Sequence, residues 1–242
     1  MTAAEARKQQ WLSLKDKPLS AKLKYIFTYY WPAIVGIMCV LVFLVSWITS
    51  ILTQKEVVLS GYILNSATKT DSPNLVQEFM DLQQIDSDRQ QFKLTTDVSY
   101  SIDDMSDTSI TILESIIVQI AAKQVDFLIA EPESYQMFSA YHSDLRTVLT
   151  AEQLEKWDEY FVYVEYDALD KLKNDVENKI QLPEYFVSDE GLSDPVPVGI
   201  RLPEDCRLFD SYNMPTGDIY FSIMHNVSNA ANTLAFLEFI LD

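Results

Sequence analysis

The sequence predicts an α/β protein: one N-terminal transmembrane helix, followed by an extracytoplasmic domain with a mainly parallel sheet flanked by helices. Three observations predict this architecture. Thirty residues from Tyr25 to Gln54 have no charged side chain. Strand-like and helix-like segments alternate after them. The chain is basic before this stretch and strongly acidic after it. We therefore divide the chain into a basic cytoplasmic tail (1–24), a transmembrane signal anchor (25–54) and an acidic extracytoplasmic domain (55–242).

The apolar stretch has the dimensions of a membrane anchor. As a helix, Trp31–Leu52 would extend roughly 33 Å, at about 1.5 Å per residue, which matches the hydrocarbon thickness of a bilayer. Trp31 and Trp47 would lie near the two interfaces. Pro32 is expected in the first helical turn, where its missing N–H costs little. A cleaved signal peptide is the alternative. The apolar run exceeds the usual length of about 7–15 residues and no small-x-small cleavage site follows, so a retained anchor is favoured.

The charge distribution predicts the orientation of the anchor. Residues 1–24 contain six basic and two acidic side chains, a net charge of +4. Because the whole chain has a net charge of −18, the residues after them carry a net charge of −22. Basic residues next to a span stay on the cytoplasmic side, which places residues 55–242 outside the cell. Such an acidic domain is unsuited to binding nucleic acid, because phosphate binding requires a basic surface. The expected location is the cell membrane, spanned once, with the bilayer itself as one partner.

Cysteine usage is consistent with a bacterial envelope protein. The chain has two cysteines, Cys39 within the apolar stretch and Cys206 in the outer domain, so no disulfide can form within that domain. An exported domain without disulfides depends on its core for stability.

The first half of the outer domain alternates between strand and helix signals. Glu56–Leu64 is rich in β-branched residues and predicts a strand. Ser72 before Pro73 predicts a helix start with serine as N-cap. The continuous apolar run Gln124–Ala130 is typical of a strand buried on both faces. Together with a strand at Phe92–Tyr100 and a helix at Thr108–Lys123, it forms a strand–helix–strand order that predicts parallel strands.

The second half continues the same pattern. Thr150 and Gln153 form a capping-box motif that predicts a helix through Trp157. The remaining predicted elements are a helix from Pro132 to about Ala140, a strand at Glu159–Tyr166, an exposed polar helix at 167–180, strands at Val196–Leu202 and Gly217–His225, and a C-terminal helix from about Ser228.

Several phrases resemble those of extracellular solute-binding proteins with the periplasmic-binding-protein type II fold. They are QVDFLIAEPESYQMF at 124–138, SDLRTVLTAEQL at 143–154 and MHNVSNAANTLAFLEFIL at 224–241. The resemblance implies an α/β lobe, and about 185 residues is the length of one lobe with additions. The phrase KYIFTYYWP also resembles the anchor region of membrane-anchored proteins of Gram-positive bacteria, which makes such a cell the favoured source.

Catalytic and metal-binding motifs are not evident in the sequence. The two histidines, His142 and His225, are interpreted as a surface-loop residue and a strand-end residue. Asp103, Asp104 and Asp107 form an acidic turn; it is either a calcium site or a helix N-terminus, and the second interpretation is favoured. Four tyrosines form either a platform for an aromatic ligand or ordinary packing: Tyr160, Tyr163, Tyr166 and Tyr185. We expect no enzymatic activity and no cofactor.

Two hypotheses for function follow. The first is a non-enzymatic, membrane-anchored domain that binds or scaffolds partners, as an accessory subunit of a membrane or envelope complex. The second is a solute-receptor domain that holds a small ligand in a cleft near the strand ends after Ala130 and Asn226. The candidate ligand or partner residues are Glu131, Asn226, Asp103 and Asp104.

Overall fold

The computed structural model describes residues 18–99, 106–167 and 183–242. The chain divides between Gln54 and Lys55 into two compact units. In the first unit, helix α1 extends over Leu19–Thr53. Within it, Tyr30–Ser50 is 21 residues long with a mean hydropathy of 2.4, and it is the one helix of the described chain long and apolar enough to cross a membrane. By length and composition it is compatible with an anchor or with a signal sequence.

One prediction for this helix is wrong. Because α1 begins at Leu19, Pro32 lies inside the helix and not in its first turn. The proline ring removes one backbone hydrogen bond there. Trp31 and Trp47 both have 57% of their surface exposed, as expected for side chains that face outwards from a helix.

The second unit contains a six-stranded sheet with helices on both faces. The elements in chain order are β1 (Glu56–Leu64), β2 (Ala67–Thr68), α2 (Leu75–Leu82), β3 (Gln90–Val98), α3 (Asp107–Ala121), β4 (Phe127–Ala130), α4 (Pro132–Gln136), α5 (Ala151–Lys156), β5 (Phe161–Glu165), β6 (Pro195–Arg201), α6 (Leu208–Ser211), β7 (Tyr212–Asn213), β8 (Tyr220–Ile223) and α7 (Ala230–Leu241). The strands of the sheet have the spatial order β3-β1-β4-β8-β6-β5. Short 3₁₀ turns occupy Ser139–Tyr141, Leu145–Thr147 and Asp158–Tyr160.

The sheet is mixed, which corrects the prediction of a mainly parallel one. Strand β1 is parallel to both β3 and β4, and the predicted unit β3-α3-β4 is confirmed as a parallel crossover that passes β1. The other three pairings, β4 with β8, β8 with β6, and β6 with β5, are antiparallel. Strand β8 lies next to β4 and runs antiparallel to it. In chain order β8 follows β5 and β6, which lie on its other side towards the far edge of the sheet.

Two hydrophobic clusters hold the helices against the sheet. On one face, Phe79 of α2 and Phe236 of α7 pack with Leu59, Phe92 and Phe127. On the other face, Ile116 and Ile120 of α3 pack with side chains of β1 and β4. Strand β4 is buried at every position, which confirms the prediction from its continuous apolar run. The sheet therefore forms the middle layer of three.

A close approach between β1 and β4 requires glycine at position 61. A Cβ added there would lie 2.2 Å from the Cζ atom of Phe127. The freed space lets the Phe127 ring stack between Phe221, at a centroid distance of 5.2 Å, and Phe236, at 5.1 Å. This column of rings joins β4, β8 and α7.

Most predicted element ends shift by a few residues. Helix α2 begins at Leu75 with Asn74 as its N-cap, because the Asn74 side chain accepts the Gln77 N–H; the predicted Ser72 cap is wrong. The capping box at Thr150 and Gln153 is confirmed, with both reciprocal hydrogen bonds present. The polar helix predicted at 167–180 lies almost wholly outside the described residues.

Candidate functional site

Asp126 is a buried carboxylate at the amino end of β4, with 2% of its surface exposed. Its Oδ2 accepts the N–H of Ser60 at 2.9 Å and the side-chain amide of Asn229 at 3.2 Å. Its Oδ1 accepts the backbone N–H groups of Ser228 and Asn229, each at 3.0 Å. These four donors come from β1 and from the loop before α7, so Asp126 joins three segments distant in sequence. Sequence reasoning missed this role; the available signal is a single acid within the apolar run QVDFLIA.

Asn226 lies at the same end of β4. Its Nδ2 donates to the carbonyl oxygen of Ile120 at 2.6 Å, and its Oδ1 is buried without a hydrogen-bond partner within residues 18–99, 106–167 and 183–242. Ser228 donates to the carbonyl oxygen of Lys123 at 3.2 Å. Asn226 and Ser228 therefore satisfy carbonyl groups at and just beyond the carboxyl end of α3, which is a capping role.

Glu131 lies at the other end of β4, where the parallel strands end. Its Oε1 accepts the side-chain amide of Asn65 at 2.6 Å and the hydroxyl of Ser134. Its Oε2 is buried with no hydrogen-bond partner among the described residues. Asn65 follows β1 directly in a left-handed conformation, at φ 52°, and its N–H donates to the carbonyl oxygen of Val98. Side chains from the ends of β1 and β4 thus converge at this edge.

The predicted cleft shared by Glu131 and Asn226 is therefore wrong in its geometry. Glu131 follows the carboxyl end of β4, whereas Asn226 follows β8, whose end pairs with the amino end of β4 through the Met224 N–H and the Asp126 carbonyl. The two residues lie at opposite edges of the sheet because β8 is antiparallel to β4. A single small ligand would not contact both.

Two of the three residues of the acidic turn are outside what the structure describes, while Asp107 is the first residue of α3. Asp103 and Asp104 fall in the gap between residues 99 and 106, so both interpretations of that turn stay predictions. Among the described residues, no group of three or more His, Cys, Asp and Glu side chains is arranged to hold a metal ion.

His142 is a core residue, which corrects its assignment to a surface loop. It is 1% exposed, and its ring stacks on Tyr135 with centroids 4.1 Å apart. Its Nε2 lies 3.2 Å from the carbonyl oxygen of Tyr135, while Nδ1 is buried with no hydrogen-bond partner in the part of the chain that the structure describes. Burial lowers the pKa of His142 to about 3, because the charged ring would be desolvated. A backbone pairing with Met224 holds the residue against the sheet.

The four clustered tyrosines do not form one platform. Tyr160 and Tyr163 pack against the first hydrophobic cluster, and Tyr185 against the second. Burial together with Asp158 raises the pKa of Tyr163 to about 12. Tyr166 is 48% exposed at the end of β5. Packing therefore accounts for three of the four rings.

Helix α3 leaves part of its apolar surface uncovered. Val118 is 65% exposed and Ile110 is 39% exposed, although Ile116 and Ile120 of the same helix are buried. Leu113 and Ile117 are only partly buried. Glu114 is the one charged side chain on this exposed face of α3 between Ser109 and Ala121. We call the side chains Ile110, Leu113, Glu114, Ile117 and Val118 the α3 face.

Comparisons of this chain with protein-family models, with curated proteins and with solved structures find no match. The resemblance to solute-binding proteins therefore stays a prediction.

Proposed function

We propose that this protein is a non-enzymatic, single-pass membrane protein whose extracytoplasmic domain binds a partner protein as an accessory subunit of a membrane complex. The proposed orientation has the basic N-terminus in the cytoplasm of a bacterial cell, with a Gram-positive source favoured. The basic flank, the apolar span and the acidic outer domain support this orientation. The burial of His142 removes one candidate for acid–base catalysis, because an imidazole that is 1% exposed does not reach a substrate.

The α3 face carries this proposal. A helix that buries one side and leaves Val118 and Ile110 exposed has apolar surface available for a partner. We assign it a protein partner that presents an apolar surface with a basic side chain opposite Glu114. A basic partner is chosen because the chain after the span has a strongly negative net charge and the one charged side chain of the α3 face, Glu114, is acidic. A basic partner would be attracted over a distance and then oriented on contact.

Replacing Val118 with lysine is expected to release such a partner. The substitution places a charge in the centre of the apolar contact, and we expect at least a tenfold weaker association, since a desolvated charge costs more than about 1.4 kcal/mol. The measurement is gentle detergent extraction of tagged protein from its native membrane, followed by quantitative mass spectrometry of proteins recovered at fixed stoichiometry.

Leu82→Lys is the matched control. Leu82 ends α2 and is 63% exposed, close to the value for Val118, but it belongs to another helix. A partner lost with Val118→Lys and kept with Leu82→Lys supports the proposal. A stoichiometric partner kept by both variants would place its contact elsewhere, and recovery of the protein alone from native membranes would contradict the scaffold function.

A small-ligand receptor is the second candidate, and Glu131 favours it. Its buried, unpartnered Oε2 lies beside Asn65 and Ser134 at the carboxyl ends of parallel strands, where α/β folds commonly bind ligands. An unpaired carboxylate oxygen indicates a ligand with an N–H or O–H donor. This candidate keeps the idea of a single solute-binding lobe, with the site confined to one edge of the sheet.

Thermal stabilisation distinguishes this candidate. If a small ligand binds at Glu131, screening amino acids, sugars and polyamines should yield a compound that raises the melting temperature of the wild type. Glu131→Gln should abolish most of that rise, because the amide replaces one acceptor oxygen with a donor. An equal rise in Glu131→Gln would place the ligand elsewhere.

A further inference from the structure

One buried histidine is covered by a segment that is itself only partly buried. Two rings contact the imidazole of His142: Tyr135, which is fully buried, and Tyr185, which is partly exposed and meets it edge-on at a centroid distance of 6.4 Å. Displacement of Tyr185 would therefore uncover one side of the His142 ring. Tyr185 belongs to residues 183–194, which we call the strap.

A few contacts hold the strap to the domain. The hydroxyls of Tyr185 and Ser139 are hydrogen bonded at 2.6 Å. Phe186 and Tyr163 of β5 exchange two backbone hydrogen bonds, at 2.9 and 2.7 Å. At the other end, the carboxylate of Glu165 accepts the N–H groups of Ser193, at 2.6 Å, and Asp194, at 3.2 Å. The first two contacts lie at the Tyr185 end of the strap.

A proton on His142 has no acceptor while the strap is closed. With Nε2 donating to the Tyr135 carbonyl oxygen, the added proton would lie on Nδ1, which has no hydrogen-bond partner in the described structure. An uncompensated charge in a buried site favours any conformation that hydrates it. Displacing the strap would hydrate the Tyr185 side of the ring, and the backbone pairing that it breaks is with β5.

The phenol groups around His142 do not titrate in acid. Burial raises the pKa of Tyr135, Tyr185 and Tyr220, so all three phenols stay neutral below pH 7. His225, next to the Met224 that pairs with His142, is exposed and lies 3.2 Å from the carbonyl oxygen of Tyr141. Carboxylates are present on the strap itself and at Glu165, and the experiment must separate their effect.

We propose that His142 and the strap form an acid-opened latch: protonation of His142 releases Tyr185 and detaches the strap from β5, while the rest of the domain stays folded. Opening frees the backbone N–H and C=O of Tyr163, so β5 becomes an open edge strand. The latch thus couples acidity to the exposure of a strand edge.

Proton linkage sets the size of the effect. The closed form keeps the pKa of His142 at about 3, whereas a hydrated histidine has its ordinary value of 6.5. Between these values the open form binds one more proton than the closed form. The opening equilibrium therefore rises about tenfold per pH unit as the pH falls from about 6.5 towards 3, and it is independent of this proton above about 7.

Hydrogen exchange of the full-length protein in detergent tests the latch. After correction for the intrinsic pH dependence of exchange, protection of the Phe186 amide should fall about tenfold per pH unit between pH 6 and pH 4. In His142→Phe that slope should disappear. In Glu165→Gln it should remain, which separates the histidine from the carboxylate. The amides of Leu128 and Ile129 in β4 should stay protected over the same range.

A second measurement covers the case in which His142→Phe does not fold. The chain has two histidines, so their ring signals can be resolved by nuclear magnetic resonance. His142 should remain unprotonated at pH 5 in the wild type, and its pKa should rise towards 6.5 in Tyr185→Ala. Equal exchange slopes in the wild type and His142→Phe, loss of β4 protection in parallel with Phe186, or an unchanged His142 titration in Tyr185→Ala would each overturn the latch.

Discussion

Replacing Asp126 with alanine is expected to lower the free energy of unfolding by about 4 kcal/mol. The substitution removes the acceptor of four N–H donors from Ser60, Ser228 and Asn229, in a site where Asp126 is 2% exposed. Each buried donor left unpaired costs roughly 1–3 kcal/mol, partly offset where water enters. Such a loss is a large part of the roughly 5–15 kcal/mol that stabilises a typical domain. Urea unfolding of the full-length protein in detergent, followed by near-ultraviolet circular dichroism, measures it.

Two further substitutions test whether the loss of stability comes from the hydrogen bonds of the Asp126 carboxylate. Asp126→Asn keeps the size and one acceptor oxygen but directs an amide at the same donors, so a loss of about 2 kcal/mol is expected. Asp218→Ala is the control, because Asp218 is exposed and surface substitutions usually change stability by less than about 0.5 kcal/mol. If Asp126→Ala behaved like Asp218→Ala, the carboxylate would not join β1, β4 and the loop before α7 as described.

Substitution of both Val40 and Leu44 by arginine is expected to abolish stable membrane insertion. Both residues lie in the middle of the candidate span, and each arginine near the centre of a bilayer costs about 2.5–3.5 kcal/mol on insertion scales. The variant protein should appear in the soluble or degraded fraction after alkaline extraction of membranes. Exchanging the two residues, with Val40→Leu and Leu44→Val, keeps the segment apolar and should leave fractionation unchanged.

The intact mass of the wild-type protein recovered from membranes separates an anchor from a signal sequence. A mass that includes residues 1–54 supports the retained anchor. A shorter mature protein would contradict it, and so would unchanged membrane fractionation of the double arginine variant.

The elements predicted correctly are those whose sequence signal lies within the element itself. β1 appears at the predicted residues, the Thr150 capping box forms, and the uninterrupted apolar run of β4 is buried throughout. These features depend on neighbours within a few residues of each other. The N-cap of α2 was misplaced by two residues, because Asn74 competes with Ser72 for the same role and accepts the Gln77 N–H.

The candidate sites depended on contacts that no local pattern contains. Glu131 and Asn226 follow strands that appear equivalent in sequence, yet the antiparallel pairing of β8 with β4 puts them at opposite edges. His142 sits in a polar phrase, YHSD, typical of an exposed loop. Its stacking on Tyr135 and its pairing with Met224 take it into the core.

Charge, hydropathy and short-range periodicity are properties of the residues in order, and they were enough to predict the division of this chain into a basic tail, an apolar helix and an acidic α/β domain. Tertiary contacts set the direction of β8, the four donors gathered by Asp126 and the burial of His142 beneath Tyr185. Those outcomes depend on pairs of residues that are up to 103 positions apart, as with Asp126 and Asn229. Such contacts form only when the whole sheet is assembled.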